Sequence, residues 1–174
     1  SKSILPWRTV LQNVMFGLEN KQMSRSDMIT KCRELLKRVG LEGTENYYPS
    51  QLSGGMQQRL VIARALAPEP EVLLMDEPFS AVDALTRLKL QKLLLDLWQQ
   101  LSITILFVTH DVEEAILLSQ RVLCMSSGPA EIVEDLDIDF PHPRNFITMR
   151  KDPKFIEYQQ RLYSLIFSTE EQVS

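Results

Sequence analysis

The chain has 174 residues, enough for one domain with a sizeable core. Hydrophobic residues make up 44% and charged residues 24%, the ordinary balance of a soluble globular protein. The formal net charge of -4 argues against a nucleic-acid surface dominated by basic residues, and no apolar run approaches the ~20 residues that span a bilayer. Ser1, Lys2 and Ser3 open a short mixed segment that does not read as a secretory leader. Two cysteines cannot build a disulfide framework, and Cys32 and Cys124 read as small buried hydrophobes in a reducing compartment.

In chain order, an irregular opening segment "ILPWRTVLQNVMFGL" passes into a short helix near 11–18. A helix is expected over 25–39, with Ser24 and Asp27 as a capping box and Gly40 at its C-terminal end. Met28, Cys32, Leu35, Leu36 and Val39 fall on one face of it. A loop over 41–51 leads to a helix that starts after Gly55 and runs to about Leu66, where "PEPE" breaks it. Beyond this point the pattern changes. Short apolar runs at 72–75, 103–108 and from Arg121 alternate with helices at 84–100 and 112–119, as expected for a parallel sheet buried on both faces. A turn at "SSGP" leads to "AEIVED", an antiparallel edge strand. The loop "FPHPRNF" then precedes a helix over 153–167.

Open parallel sheets place ligands beyond the carboxyl ends of their strands. Here those ends are Met75 and Val108, and ionisable residues follow both at once. Asp76 and Glu77 supply paired carboxylates, one suited to a hard cation and the other to orienting a water. Read alone, the pair is also a solvated acidic turn. His110 can donate to a phosphate oxygen or a water, and it is equally an ordinary residue at a helix start. Asp111 or Thr109 can cap that helix, and Asp83 the helix after "FSAVDAL". "LSGGMQQR", Leu52 to Arg59, puts Ser53, Gly54 and Gly55 before a helix start, where backbone N–H groups and the dipole favour an anion. A G-x-x-x-x-G-K-[ST] phosphate loop is absent from these 174 residues.

Together these stretches resemble the ABC-type ATPases. "LSGGMQQR" is similar to their signature motif, "VLLMDEP" to Walker B, "SAVD" to the D-loop (where leucine is commoner at the position of Val82) and "VTHD" to the switch-histidine segment. The resemblance covers essentially the entire chain but not the entire family domain. "ILPWRTVLQNV", "EAILLSQRVLCMSSGPAEI" and the tail "PRNF…DPKFIEYQQRLYSLI" resemble the subgroup of nitrate, sulfonate and taurine importers.

The implied fold is α/β, a parallel-sheet P-loop NTPase-like core with an all-helical signature subdomain, N-terminally truncated. Its parts would be a post-Q-loop segment (1–23), a helical subdomain with the signature (24–66), an α/β core (67–140) and a C-terminal loop and helix (141–174). The resemblance implies ATP and Mg²⁺ as ligands. Glu77 would polarise the attacking water, Asp76 hold Mg²⁺ through water, and His110 contact the γ-phosphate. Ser53, Gly54, Gly55 and Gln57 would face a partner's nucleotide, and Asp83 would communicate across the interface. Implied partners are a second ATPase subunit in a head-to-tail dimer, membrane permease subunits and, indirectly, an external solute-binding protein, with no nucleic acid. The chain would sit peripherally on the cytoplasmic face of the inner membrane. Pro6 and Trp7 are a candidate permease-docking feature, the alternative being that Trp7 packs into the domain. By the family pattern the Q-loop glutamine stands just before Ser1 and the glycine–lysine loop upstream of it, so this piece alone is expected to bind Mg-ATP weakly without useful turnover. A soluble ABC-type ATPase outside transport and a non-catalytic remnant remain the alternatives.

Overall fold

The computed structural model describes residues 4–101, 103–126 and 130–171, the side chains of 168–171 excepted. The turn expected at "SSGP" falls mainly on 127–129, and the Ser1–Ser3 opening also lies outside the described residues. The chain divides into two compact units, one reaching to Leu106 and the other starting at Phe107.

The first unit contains α1 (Val10–Phe16), α2 (Arg25–Arg38), α3 (Gly54–Leu66), β1 (Val72–Asp76) and α4 (Ala84–Gln100), and it runs into β2 (Thr104–Val108). Helix α1 begins where Thr9 and Gln12 satisfy each other: Gln12 N–H donates to Thr9 Oγ1 at 3.3 Å and Thr9 N–H to Gln12 Oε1 at 2.9 Å. The fully buried Asn13 holds the preceding segment. Its Nδ2 donates to the carbonyls of Leu5, Arg8 and Thr9, and its Oδ1 accepts from Leu5 N–H. That stapled segment leaves Trp7 70% exposed, so Trp7 does not pack into the core formed by the described residues.

Helix α2 starts as expected at Ser24, whose Oγ accepts from Asp27 N–H at 3.1 Å. The Asp27 side chain does not return to the Ser24 backbone to complete a capping box; it accepts from the Ser24 hydroxyl instead. Cys32, Leu35, Leu36 and Val39 are buried, each side chain of that size contributing ~1.5–3 kcal/mol on leaving water. Helix α1 packs on α2 and α3, and α3 on α4.

Strands β1 and β2 form a parallel pair joined by the α4 crossover, with Thr104 N–H donating to Glu71 O at 2.9 Å where both strands begin. Burial on both faces, expected from the continuous apolar runs, does not occur. Leu73 and Met75 of β1 are 7% exposed, whereas Val72 and Leu74 between them are 62% and 65% exposed. Alternation is what a strand with one covered face must show, because successive side chains point to opposite sides.

The second unit continues with α5 (Val112–Leu118), β3 (Arg121–Met125), β4 (Ile132–Asp137), α6 (Phe146–Met149) and α7 (Pro153–Glu171). Among the described residues β3 does not extend the β1–β2 sheet as a third parallel strand. It pairs antiparallel with β4, in the register Arg121 to Asp137 through Met125 to Ile132. The cause is local. A short connection favours the hairpin partner, and the Arg121–Asp135 ion pair adds a cross-strand tie. The edge strand expected at "AEIVED" is β4 itself. Its core joins Val112, Ile116, Leu117, Cys124, Leu136 and Phe155 among others, with α7 packed on α5 and β3. The half-buried Arg144 donates through Nη1 to the carbonyls of Ile116, Leu117 and Ser119, closing the C-terminal end of α5. Both cysteines are buried and unpaired, and burial pushes the Cys32 thiol up to about 11.

Candidate functional site

Strand β1 delivers Asp76 and Glu77 at its carboxyl end, both exposed. The fully buried Phe79, two residues on, anchors the turn that follows. Within that turn the Ser80 hydroxyl donates to Glu77 O at 3.0 Å. Glu77 has φ 41°, in the left-handed region where an L-residue costs ~1–2 kcal/mol. Such strain concentrates at functional positions, because the surrounding fold must hold it. Asp76 and Glu77 line an open groove of about 230 Å³ together with Gln58, Val61, Ala65 and Leu74. That part of α3 forms the facing wall has no local mark in the sequence.

The Ser53–Gly54–Gly55 turn starts that same helix. Ser53 Oγ accepts from Met56 N–H at 3.3 Å, capping α3, and the exposed Gly54 has nothing within 4 Å of where a Cβ would stand. The turn and the carboxylates therefore meet opposite parts of one helix. From Gly54 to Gln58, the first residue of α3 on the groove, the helix rises about 6 Å, and Ser53, Gly54 and Gly55 do not line the groove. One chain thus presents two separate half-sites, an anion-attracting helix end and a carboxylate groove.

The remaining candidates have definite local duties. Gln57 is half-buried and its Nε2 donates to Pro49 O at 3.0 Å and Leu52 O at 3.4 Å, holding the loop that leads into the turn. Asp83 caps α4 by accepting from Thr86 N–H at 3.0 Å. Hydrogen bonds from the Thr86 side chain and backbone hold its exposed carboxyl below the usual range. His110 belongs to the second unit and is exposed at the end of β2. On its two sides, Thr109 Oγ1 donates to Glu114 Oε2 at 2.8 Å and accepts from Asp111 N–H at 3.0 Å, while Asp111 Oδ1 accepts from Glu114 N–H at 3.1 Å. Glu114 is 5% exposed and lies outside the motifs named from the sequence. The spacing of Asp111 and Glu114, a cap residue with glutamate three positions on, was the available signal.

No group of three or more His, Cys, Asp or Glu side chains among the described residues could hold a metal. A Mg²⁺ ion would take only Asp76 from this surface and the rest of its shell from water and phosphate oxygens, which suits an ion that dehydrates reluctantly. Exposed Asp76 in an open groove fits that mode. For a nucleotide, the donors are those of the capped α3 N-terminus.

A family model described as "ABC transporter" matches residues 1–80. The chain is 48% identical, over 94% of its length, to an uncharacterized ABC transporter ATP-binding protein of Methanocaldococcus jannaschii, and it spans 60% of that protein. It is 42% identical over 100% of its length to the taurine import ATP-binding protein TauB of Escherichia coli, spanning 70% of it. Among solved structures, an ATP-binding cassette captured as a post-hydrolysis dimer bound to ADP and Pi matches with a TM-score of 0.64 at 34% identity. That likeness covers 79% of this chain and 60% of the other.

Proposed function

The chain belongs to the ABC transporter ATP-binding proteins, and from that premise we propose that it is part of the ATPase subunit of an importer for a small anion of the taurine, sulfonate or nitrate kind. The observation that carries the reading is the separation of the two half-sites along α3. The anion-attracting turn does not line the carboxylate groove, so the two do not close on one phosphate chain in one subunit. They can in a two-fold dimer, where each groove is completed by the other subunit's turn. The related cassette, a post-hydrolysis dimer bound to ADP and Pi, supports this arrangement.

In the proposed mechanism Glu77, held in a left-handed backbone conformation at the end of β1, accepts a hydrogen bond from the attacking water and orients it. Asp76 would hold a hydrated Mg²⁺, which would supply positive charge beside the phosphate oxygens. His110 donates to a γ-phosphate oxygen from a turn fixed by Thr109, Asp111 and Glu114. Ser53, Gly54 and Gly55 offer hydroxyl and backbone donors to the partner's nucleotide. Gln57 keeps their approach loop in place, and Asp83 lies at the D-loop position. Phosphoryl transfer asks mainly for positioning and charge stabilisation, which these groups supply. The exposed Trp7 docks on the permease. Tyr47 and Tyr48 are exposed as well, on a loop tied to α1 where Tyr47 O accepts from Val10 N–H at 2.8 Å. None of the described helices is long and apolar enough to cross a membrane; the likeness to an import ATP-binding protein supports a peripheral place at its cytoplasmic face.

The test is ATP-driven taurine uptake, with nitrate as competitor, by vesicles holding the permease and the ATPase subunit that contains this chain. Uptake and hydrolysis that both vanish in Glu77→Gln support the reading. Hydrolysis indifferent to Glu77→Gln, or failure to assemble with a permease, overturns it.

A further inference from the structure

Asp83 and Gly55 lie 28 positions apart in sequence, yet one side chain touches both segments. Thr86 stands on the first turn of α4, and its hydroxyl and backbone N–H both hydrogen-bond the Asp83 carboxylate. Its methyl points the other way: a Cβ placed on Gly55 would come within 2.6 Å of Thr86 Cγ2, far inside contact distance. A β-branched residue in a helix has few χ1 choices. The hydroxyl's bond to Asp83 therefore dictates where the methyl goes, and the methyl fills the space that glycine leaves bare. Both Gly55 and Thr86 are half-buried, so the contact is interior to the packing of α3 on α4.

We propose that Thr86 is a positioning residue that locks the Ser53–Gly55 turn to Asp83, and that glycine is required at 55 by Thr86 and not only by an approaching anion. The two segments then move as one body: displacing the turn displaces the α4 cap, and loosening the cap frees the turn. The link is a property of the chain itself and does not rest on the functional reading above.

The prediction opposes helix propensity, which favours alanine over glycine in a helix by ~1 kcal/mol. The experiment compares Gly55→Ala, Thr86→Ser, their double variant and Thr86→Val in this chain. It measures the unfolding midpoint by tryptophan fluorescence and the Asp83 carboxyl titration by ¹³C NMR. Gly55→Ala should lower the midpoint and move the Asp83 titration up toward its ordinary 3.8, because Thr86 must rotate away or the helices must part. Adding Thr86→Ser, which keeps the hydroxyl and removes the methyl, should restore both readings. Thr86→Val should shift the Asp83 titration upward while leaving the Gly55 contact in place. Gly55→Ala equal to or more stable than the parent overturns the proposal, as does a Thr86→Val variant with Asp83 unmoved. A double variant no better than Gly55→Ala, whether destabilised or unfolded, also overturns it.

Discussion

Gly40 offers a stringent test of how the helical part is held together. It follows α2 at φ 71°, and the helix ends in a Schellman arrangement. Leu41 N–H donates to Leu36 O at 2.8 Å and Gly40 N–H to Lys37 O at 3.0 Å. Arg59, from α3, reaches back to donate through Nη1 to Val39 O at 2.7 Å, and a Cβ on Gly40 would stand 2.7 Å from that same Nη1. Gly40→Ala therefore carries two costs. Placing an L-residue in the left-handed region costs ~1 kcal/mol net, after the smaller unfolded-state entropy of alanine is counted. Evicting the guanidinium from Val39 O adds the loss of a charge-assisted hydrogen bond, ~1.5–3 kcal/mol. Gly43 provides the control, since it has φ 83° but nothing within 4 Å of its would-be Cβ. Gly43→Ala should therefore cost only the first ~1 kcal/mol. Urea unfolding followed by tryptophan fluorescence isolates the relevant unit, because Trp7 and Trp98 both precede Leu106. With a slope of ~1–3 kcal/mol per molar urea, Gly40→Ala should lower the midpoint by about 1 M or more, and Gly43→Ala by clearly less. Arg59→Met should reproduce the second cost, and Gly40→Ala combined with Arg59→Met should fall well short of the sum. Equal losses for the two glycines would refute the reasoning.

Ser53→Ala should destabilise the same unit by ~1 kcal/mol through loss of the α3 cap, and Ser53→Asp should not, as urea midpoints will show. Arg144→Met strands three carbonyls at the end of α5 and should cost ~2–3 kcal/mol. Burial, then the Arg144 charge, holds the His142 pKa below its usual value, so an imidazole NMR titration of Arg144→Met should find that pKa raised. The Asp83 carboxyl titrates lower in the folded chain than its ordinary 3.8, so its contribution is fully present above pH 3.8 and is lost as pH falls through the folded value. Asp83→Asn keeps a capping side chain and should flatten that part of the acid limb in an unfolding series from pH 5 downward.

The parts of this protein legible in the sequence are those whose cause is local. Ser24 and Asp83 cap their helices because a side chain need reach only three residues along. The apolar face of α2 follows from helical spacing, and Asp76 and Glu77 follow directly on an apolar strand. Joined to the glycine turn, these local marks sufficed to reach the family. Boundaries slipped where a capping partner was overlooked, as with Thr9 and Gln12 at α1, or where a single turn of helix, α6, hid in a proline-restricted loop.

What only the tertiary structure decided depends on residues distant in sequence. Strand β3 turns to β4 rather than to the first sheet, and β1 leaves Val72 and Leu74 open on one side. An apolar run states that a strand can be buried, but its neighbours determine how many faces are covered. The left-handed φ of Glu77 is imposed by a turn anchored on buried Phe79. The reach of Arg59 to Val39 and the contact of Thr86 with Gly55 likewise exist only once α3 has packed on α2 and α4. Local hydrogen bonds and periodicity act over a few residues and can be read along the chain. Coverage, close approach and strain arise between segments that only packing brings together.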